Sequence, residues 1–508
     1  MFKNIQKYLL INQPLLWNLK IVPITFLLIL FHILFFIIGY LNGELNFLET
    51  ERNYGSDNEA ITIFFGILSS IIILILWIVY YFKNNAFKSL YPKNNFSLFK
   101  EWLLILAISL LLSTFSVSFF LGKNIKIRSY FTENELKKRC ETISEASIFY
   151  EGSFQEAKEI ELKINDTLKN VPLDYFLFKG KKYNLNSLIN KNVESFSIFN
   201  STDDSIRKLK VKTWLVNNQK NNVKSLFSDF LKIAKEHQLN ANINENKWLS
   251  LVYNYPDFMT KYQIETSEKD NYSNYAVDTA ATTMVMPPAE KFDTLNRYIK
   301  YVGKERFIFN KYFVPAAALS YNYNLISESY SKPLVDYDLL LVLFYVSLGF
   351  SLVLFSFKVT SGKSWLIALV SIGIFNIVLG IISAISSSEF VYLIGIESMI
   401  TILFIYFLYI ISRKKGKSIS AILLNILIWS YGAFFPIIYF FIMTICKKWG
   451  HYYDYNGGTT YLENDYYKFY QLLEDNVEYM LYANLAIMFL MMLFFSFKIK
   501  KWKGVAES

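Results

Sequence analysis

The stretch Ile21–Leu41, IVPITFLLILFHILFFIIGYL, decides the fold, because it contains no Asp, Glu, Lys or Arg. A helix needs roughly 20 mostly apolar residues to cross about 30 Å of hydrocarbon. A helix of a water-soluble core would instead carry a polar stripe. Seven further runs read the same way: Ala60–Phe82, Trp102–Leu121, Tyr337–Phe357, Trp365–Ile385, Phe390–Ile411, Ile419–Ile445 and Tyr479–Phe497. The first run is longer than the apolar core of a signal peptide, and no small-x-small cleavage site follows it. It is expected to stay as an anchor. Pro436 is expected to bend the seventh span.

Composition agrees. The 508 residues are 53% hydrophobic and 18% aromatic, with 19% charged and a net charge of +10. This balance excludes a disordered tail protein and disfavours an ordinary cytosolic enzyme. Two cysteines and three histidines leave little for a metal or haem centre. No cofactor is expected.

Charge then orients the chain. The N-terminal segment, the loops after spans two, four and six, and the C-terminal tail alternate along the sequence. Together they hold 17 basic against 2 acidic residues, a net of +15, and the rest holds 35 against 40, a net of −5. Both termini are therefore expected in the cytoplasm. Trp17, Trp102, Trp365, Trp449 and Trp502 fall near span ends, where indole favours the headgroup zone. The basic excess is a topology signal, and no nucleic-acid partner is implied.

The expected fold is an α-helical polytopic membrane protein with about eight spans, three and then five. An α-rich extracytoplasmic domain with a minor β component lies between spans three and four. Residues 1–20 read as a cytoplasmic amphipathic segment and 21–122 as the first membrane block. The extracytoplasmic domain takes 123–335, the second membrane block 336–500 with a tyrosine-rich outer loop over 446–478, and the basic tail 501–508. Within the domain, Thr132-Glu133-Asn134-Glu135 and Ser153-Phe154-Gln155-Glu156 each match a capping box and predict a helix start. Val223, Leu226, Phe227, Phe230, Leu231 and Ala234 follow helical spacing. Tyr175–Leu185, broken at Gly180, reads as a hairpin, and Glu290–Val302 as a helix.

Candidate site residues are few. Glu397 lies inside span six, where a carboxylate costs about 2.5–3.5 kcal/mol on insertion scales and should face the bundle. Asn376, Asn425 and Asn484 are candidate partners for it, and a structural interhelical hydrogen bond is the plainer role. His32 reads as a packed polar residue and His237 as a surface histidine. Cys140 and Cys446 would share an oxidising compartment and are candidates for a disulfide, with two free thiols the alternative. No catalytic residue stands out, and a non-enzyme is expected. Gly362-Lys363-Ser364 and Gly416-Lys417-Ser418 lack the upstream glycine of a phosphate loop.

The amphipathic segment Phe2–Trp17 and the short basic loop Lys83–Glu101 give the chain a resemblance to ABC-2-type transporter permeases. Such proteins place an amphipathic segment before span one and contact a separate ATPase chain through the loop between spans two and three. The resemblance implies an ATP-binding subunit as partner, docking through Lys83, Lys88, Lys93 and Lys100, and a homo- or heterodimeric assembly in the bilayer. Two features depart from that pattern. Six spans are usual there, and the outer domain usually follows span one. A non-transport sensor, assembly factor or envelope scaffold is the other reading, since few ionisable groups lie within the spans. The abundance of Phe, Tyr, Ile, Asn and Lys suggests an AT-rich bacterial genome, and hence an inner membrane with a periplasmic domain.

Overall fold

The structure is a computed structural model that describes residues 2–13, 16–17, 19–48, 58–85, 96–154, 160–164, 167–171, 175–261, 266–268, 297–302, 305–386, 389–413, 418–450 and 465–501. Contacts divide the chain into two compact units. The first is Met1–Leu34, Thr62–Val117 and Tyr337–Ser508, and the second is Phe35–Ile61 and Ser118–Asp336.

Helix α1 (Phe2–Asn12) precedes the long helices α2 (Ile21–Asn42) and α3 (Asn58–Asn85). The third hydrophobic run is not one straight helix. It divides into α4 (Ser97–Ser113) and α5 (Phe115–Arg128), bent by 44° at Thr114. The Thr114 hydroxyl donates to the Leu110 carbonyl at 2.7 Å, a back-bond that competes with the regular ladder.

The second unit continues with α6 (Glu133–Ala146), whose N-terminus carries the predicted capping box at Thr132 and Glu135. Strand β1 (Glu151–Ser153) follows, then the hairpins β2 (Ile160–Ile164) with β3 (Thr167–Val171), and β4 (Tyr175–Phe178) with β5 (Lys181–Asn184). The β4–β5 pair is the hairpin expected around Gly180, which takes φ +80°. Helices α7 (Asn186–Ile189), α8 (Ser201–Val216), α9 (Lys220–Glu236) and α10 (Glu245–Asn254) come next. Then come β6 (Asp257–Met259), β7 (Thr266–Glu268), β8 (Arg297–Val302), β9 (Glu305–Asn310) and α11 (Ala316–Ser331). Strand β6 pairs antiparallel with β1, and β7, β9 and β8 form a three-stranded antiparallel sheet in that order.

Two sequence expectations need correction here. Ser153 starts no helix. It pairs with Asp257 at the end of β1, and buried Phe154 packs on Phe176 and Phe258. Burial of that ring outweighs the capping pattern, while Gln155 and Glu156 lie outside the described residues. Arg297–Val302 is a strand. Tyr298, Ile299, Tyr301 and Val302 are β-formers, and the strand pairs antiparallel with Glu305–Asn310. Helix α9, by contrast, buries Val223, Leu226, Phe227, Phe230 and Ala234 as the spacing required, with Ile233 joining them and Leu231 only partly buried.

The first unit resumes with α12 (Tyr337–Val359), α13 (Gly362–Ser386) and α14 (Glu389–Arg413). Helix α15 (Ser418–Ser430) leads through a 3-10 turn over Tyr431–Ala433 into α16 (Phe434–Gly450). Helix α17 (Asp465–Asp475) carries Tyr466, Tyr467 and Tyr470 of the tyrosine-rich segment, and α18 (Val477–Lys501) closes the chain. Tyr452, Tyr453, Tyr455 and Tyr461 lie outside the described residues. Among the described residues seven helices or helix pairs are long and apolar enough to cross a membrane, and the count is eight when the bent pair α4–α5 is taken as one span. The fold is that of a helical, multi-pass membrane protein.

The break at Pro436 has a specific chemistry. Proline has no N–H, so the carbonyl four residues back, on Gly432, loses its helical donor. Asn484 Nδ2 of α18 supplies one at 3.0 Å. In lipid an unsatisfied carbonyl would cost several kcal/mol, so the asparagine completes what the proline removes.

Candidate functional site: a polar seam along α12

Helix α12 is apolar by composition, yet one stripe of it is not. Ser347, Ser351 and Lys358 lie at spacings of four and seven and face α4. Ser113 and Ser347 share a hydroxyl hydrogen bond at 2.7 Å. Trp102 Nε1 donates to Ser351 Oγ at 3.0 Å. Small hydroxyl residues let two helices approach closely and bond across the gap. A second stripe of α12 meets α15: Trp429 Nε1 donates to Ser356 Oγ at 2.6 Å. Just past its end, the Thr360 hydroxyl donates to Asn425 Oδ1 at 2.9 Å.

The seam ends in an ion pair. Lys358 Nζ bonds Glu101 Oε1, and the Tyr81 hydroxyl of α3 donates to the same carboxylate oxygen at 3.0 Å. Glu101 is 1% exposed and Tyr81 is fully buried. Trp77 stacks on Tyr81 at 5.6 Å and donates from Nε1 to the Leu19 carbonyl. Three helices thus converge on one carboxylate. Two buried charges are tolerable only when paired and hydrogen-bonded, and here both conditions hold.

Sequence reasoning missed this centre. Glu101 and Lys358 each sit next to a basic loop, and both were counted as loop charges. The available signal was the stripe Ser347, Ser351, Lys358 on one helical face, together with an acid at the start of the apolar run Trp102–Leu106.

The predicted candidates fare differently. Glu397 lies in α14, and its Oε2 is buried without a hydrogen-bond partner. None of the three asparagines reaches it. Asn376 accepts from Tyr392 at 3.0 Å and donates to the Ile372 carbonyl. Asn425 belongs to the seam, with its Nδ2 buried and unpaired. Asn484 donates to Gly432 and to the Tyr345 hydroxyl, both at 3.0 Å. The four do not come together in one cluster. His32 is the packed polar residue expected, bonded to the Leu111 carbonyl at 2.8 Å. Lys100 is exposed at the start of α4, and Lys83 lies near the end of α3. Lys88 and Lys93 lie outside the described residues. No disulfide joins Cys140 and Cys446. Each is a buried free thiol, Cys140 inside the core of the second unit and Cys446 within α16. Burial also pushes the Cys140 thiol well up from its ordinary range, so it stays protonated.

His237, expected on the surface, is half-buried in the second unit. Its ring stacks on Phe47 with centroids 3.7 Å apart, and Nε2 meets the Tyr323 hydroxyl at 2.9 Å. Arg139 donates to that same hydroxyl at 3.2 Å and pairs with Glu236 at 2.6 Å. The phenol therefore accepts from arginine and shares a hydrogen bond with the imidazole. Burial, then the nearby Arg139 charge, lowers the His237 pKa to about 4. Glu194, which accepts from Ser320 at 2.6 Å, is pushed up by burial.

Among the described residues no group of three or more His, Cys, Asp or Glu side chains is placed to hold a metal ion. Comparison of the chain with protein-family models, curated proteins and solved structures finds no match.

Proposed function

We propose that this chain is the membrane-spanning subunit of an ATP-driven exporter whose ATPase is a separate chain, set in a bacterial inner membrane with the second unit's folded domain in the periplasm. The observation that carries the reading is the pairing of neighbours at the foot of α4. Lys100 is exposed and ends the basic loop, while the next residue, Glu101, is buried and tied to Lys358 of α12. A partner pressing on the loop would act directly on a rigid link between two spans. Helix α1 supports the same reading, with Leu9 buried and Tyr8, Leu10 and Ile11 exposed, as in a helix lying at a membrane surface.

Purification from mild detergent tests it. Stoichiometric recovery of an ATP-binding chain supports the proposal, and Lys88→Glu with Lys93→Glu should reduce that recovery. Consistent absence of an ATPase from intact native complexes would sink it. Recovery of an envelope protein bound to the second unit would favour a scaffold or sensor in its place.

A further inference from the structure

Helix α8 has two faces of opposite purpose. Val211 and Leu215, 0% and 1% exposed, anchor it in the core of the second unit. Ile206, Leu209 and Val216 point away and are 60%, 62% and 39% exposed. With Thr202 and Thr213 they fall at 202, 206, 209, 213 and 216, alternating steps of four and three. That is the seam repeat of a two-helix coiled coil. Most large apolar side chains of the folded domain are gathered into one aromatic-rich core, Leu177 being another exposed one, and among the described residues nothing covers this stripe.

The charges beside the stripe indicate what does. In the seam repeat, Asp203 and Lys210 occupy the same flank, one heptad apart. Two copies of α8 laid antiparallel about a twofold axis set Ile206 against Leu209 and bring Asp203 beside Lys210 of the second copy. Lys210 bridges Glu141 and Glu145 of its own chain and is still 42% exposed. The antiparallel arrangement also opposes the helix dipoles favourably. A surface that complements itself about a twofold axis is what an isologous dimer requires. A lipid surface, the competing occupant, would accept the apolar stripe and the lysines but would repel Asp203.

We propose that α8 docks against α8 of a second copy of this chain, making the second unit a dimerisation domain. The test is sedimentation of the full chain in detergent across a concentration series. The wild-type protein should form dimers. Leu209→Glu should weaken the dimer at least about 100-fold, since it removes two buried leucines per dimer, with an unchanged melting temperature at dilutions where both proteins are monomeric, because the site is exposed in the monomer. Asp203→Asn keeps a capping oxygen and removes the charge. It should weaken the dimer about threefold. A monomeric wild type, or a dimer indifferent to Leu209→Glu, overturns the proposal. So does Asp203→Asn if it leaves self-association unchanged while strengthening adsorption to anionic vesicles, the result a lipid contact would give.

Discussion

Glu101 shows how a single residue changes meaning between sequence and structure. It stands one position after Lys100 in a basic loop, and its charge alone says solvent. Its buried place is set by Tyr81 and Lys358, which are 20 and 257 residues away. No local pattern carries that information. Removing one partner of a buried pair leaves the other charge uncompensated, so Lys358→Met should cost about 3–5 kcal/mol of stability. Glu101→Gln together with Lys358→Met should recover most of it. Thermal unfolding in detergent would check both, and an unaltered Lys358→Met melt would place the pair in water. His237 makes a second prediction at this scale. Its folded pKa lies below the ordinary 6.5, so the neutral ring contributes its full stability above about pH 6.5 and loses it as pH falls toward 4. The melting temperature should therefore drop over that window, and His237→Gln should flatten the part of the drop that belongs to the imidazole. Equal pH profiles for the two proteins would refute the neutral stack on Phe47.

At the level of elements, the hydrophobic runs were legible because lipid imposes one simple requirement, about 20 apolar residues in a row. Interruptions within those runs were less so. Thr114 bends the third run through a hydroxyl back-bond that composition does not reveal. Pro436 was readable as a break, but its remedy, Asn484, was not, since it lies 52 residues from the carbonyl it serves. Asn484→Leu should destabilise the chain by about 1–3 kcal/mol through the orphaned Gly432 carbonyl. Adding Pro436→Ala should restore part of the loss, because an alanine N–H can bond Gly432 in its place. No restoration would mean that the Tyr345 contact dominates. Helix α2 offers a parallel case. Gly39 and Gly43 form a Gly-x-x-x-Gly step, and a side chain at Gly39 would strike the backbone of Phe119 in α5, while one at Gly122 would strike Phe36. Close backbone approach of this kind is the usual packing of small residues between membrane helices. Gly39→Leu should lower folded yield sharply, whereas Gly373→Leu in α13, where nothing lies within 4 Å, should not.

For the whole molecule, every functional reading depends on which side of the bilayer each segment occupies. The charge asymmetry of +15 against −5 is the basis for placing the basic loops inside and the large domain outside. That proposal rests on loop composition alone, whereas the packing of α12 against α4 and α15 needed coordinates. The most direct test is labelling of intact cells with a membrane-impermeant thiol reagent. Both native cysteines are buried free thiols, which keeps the background low. The account predicts that Lys212→Cys, on the exposed side of α8, labels in intact cells, and that Lys88→Cys labels only after lysis. Labelling of both positions from the same side would contradict the topology and with it the proposed ATPase docking.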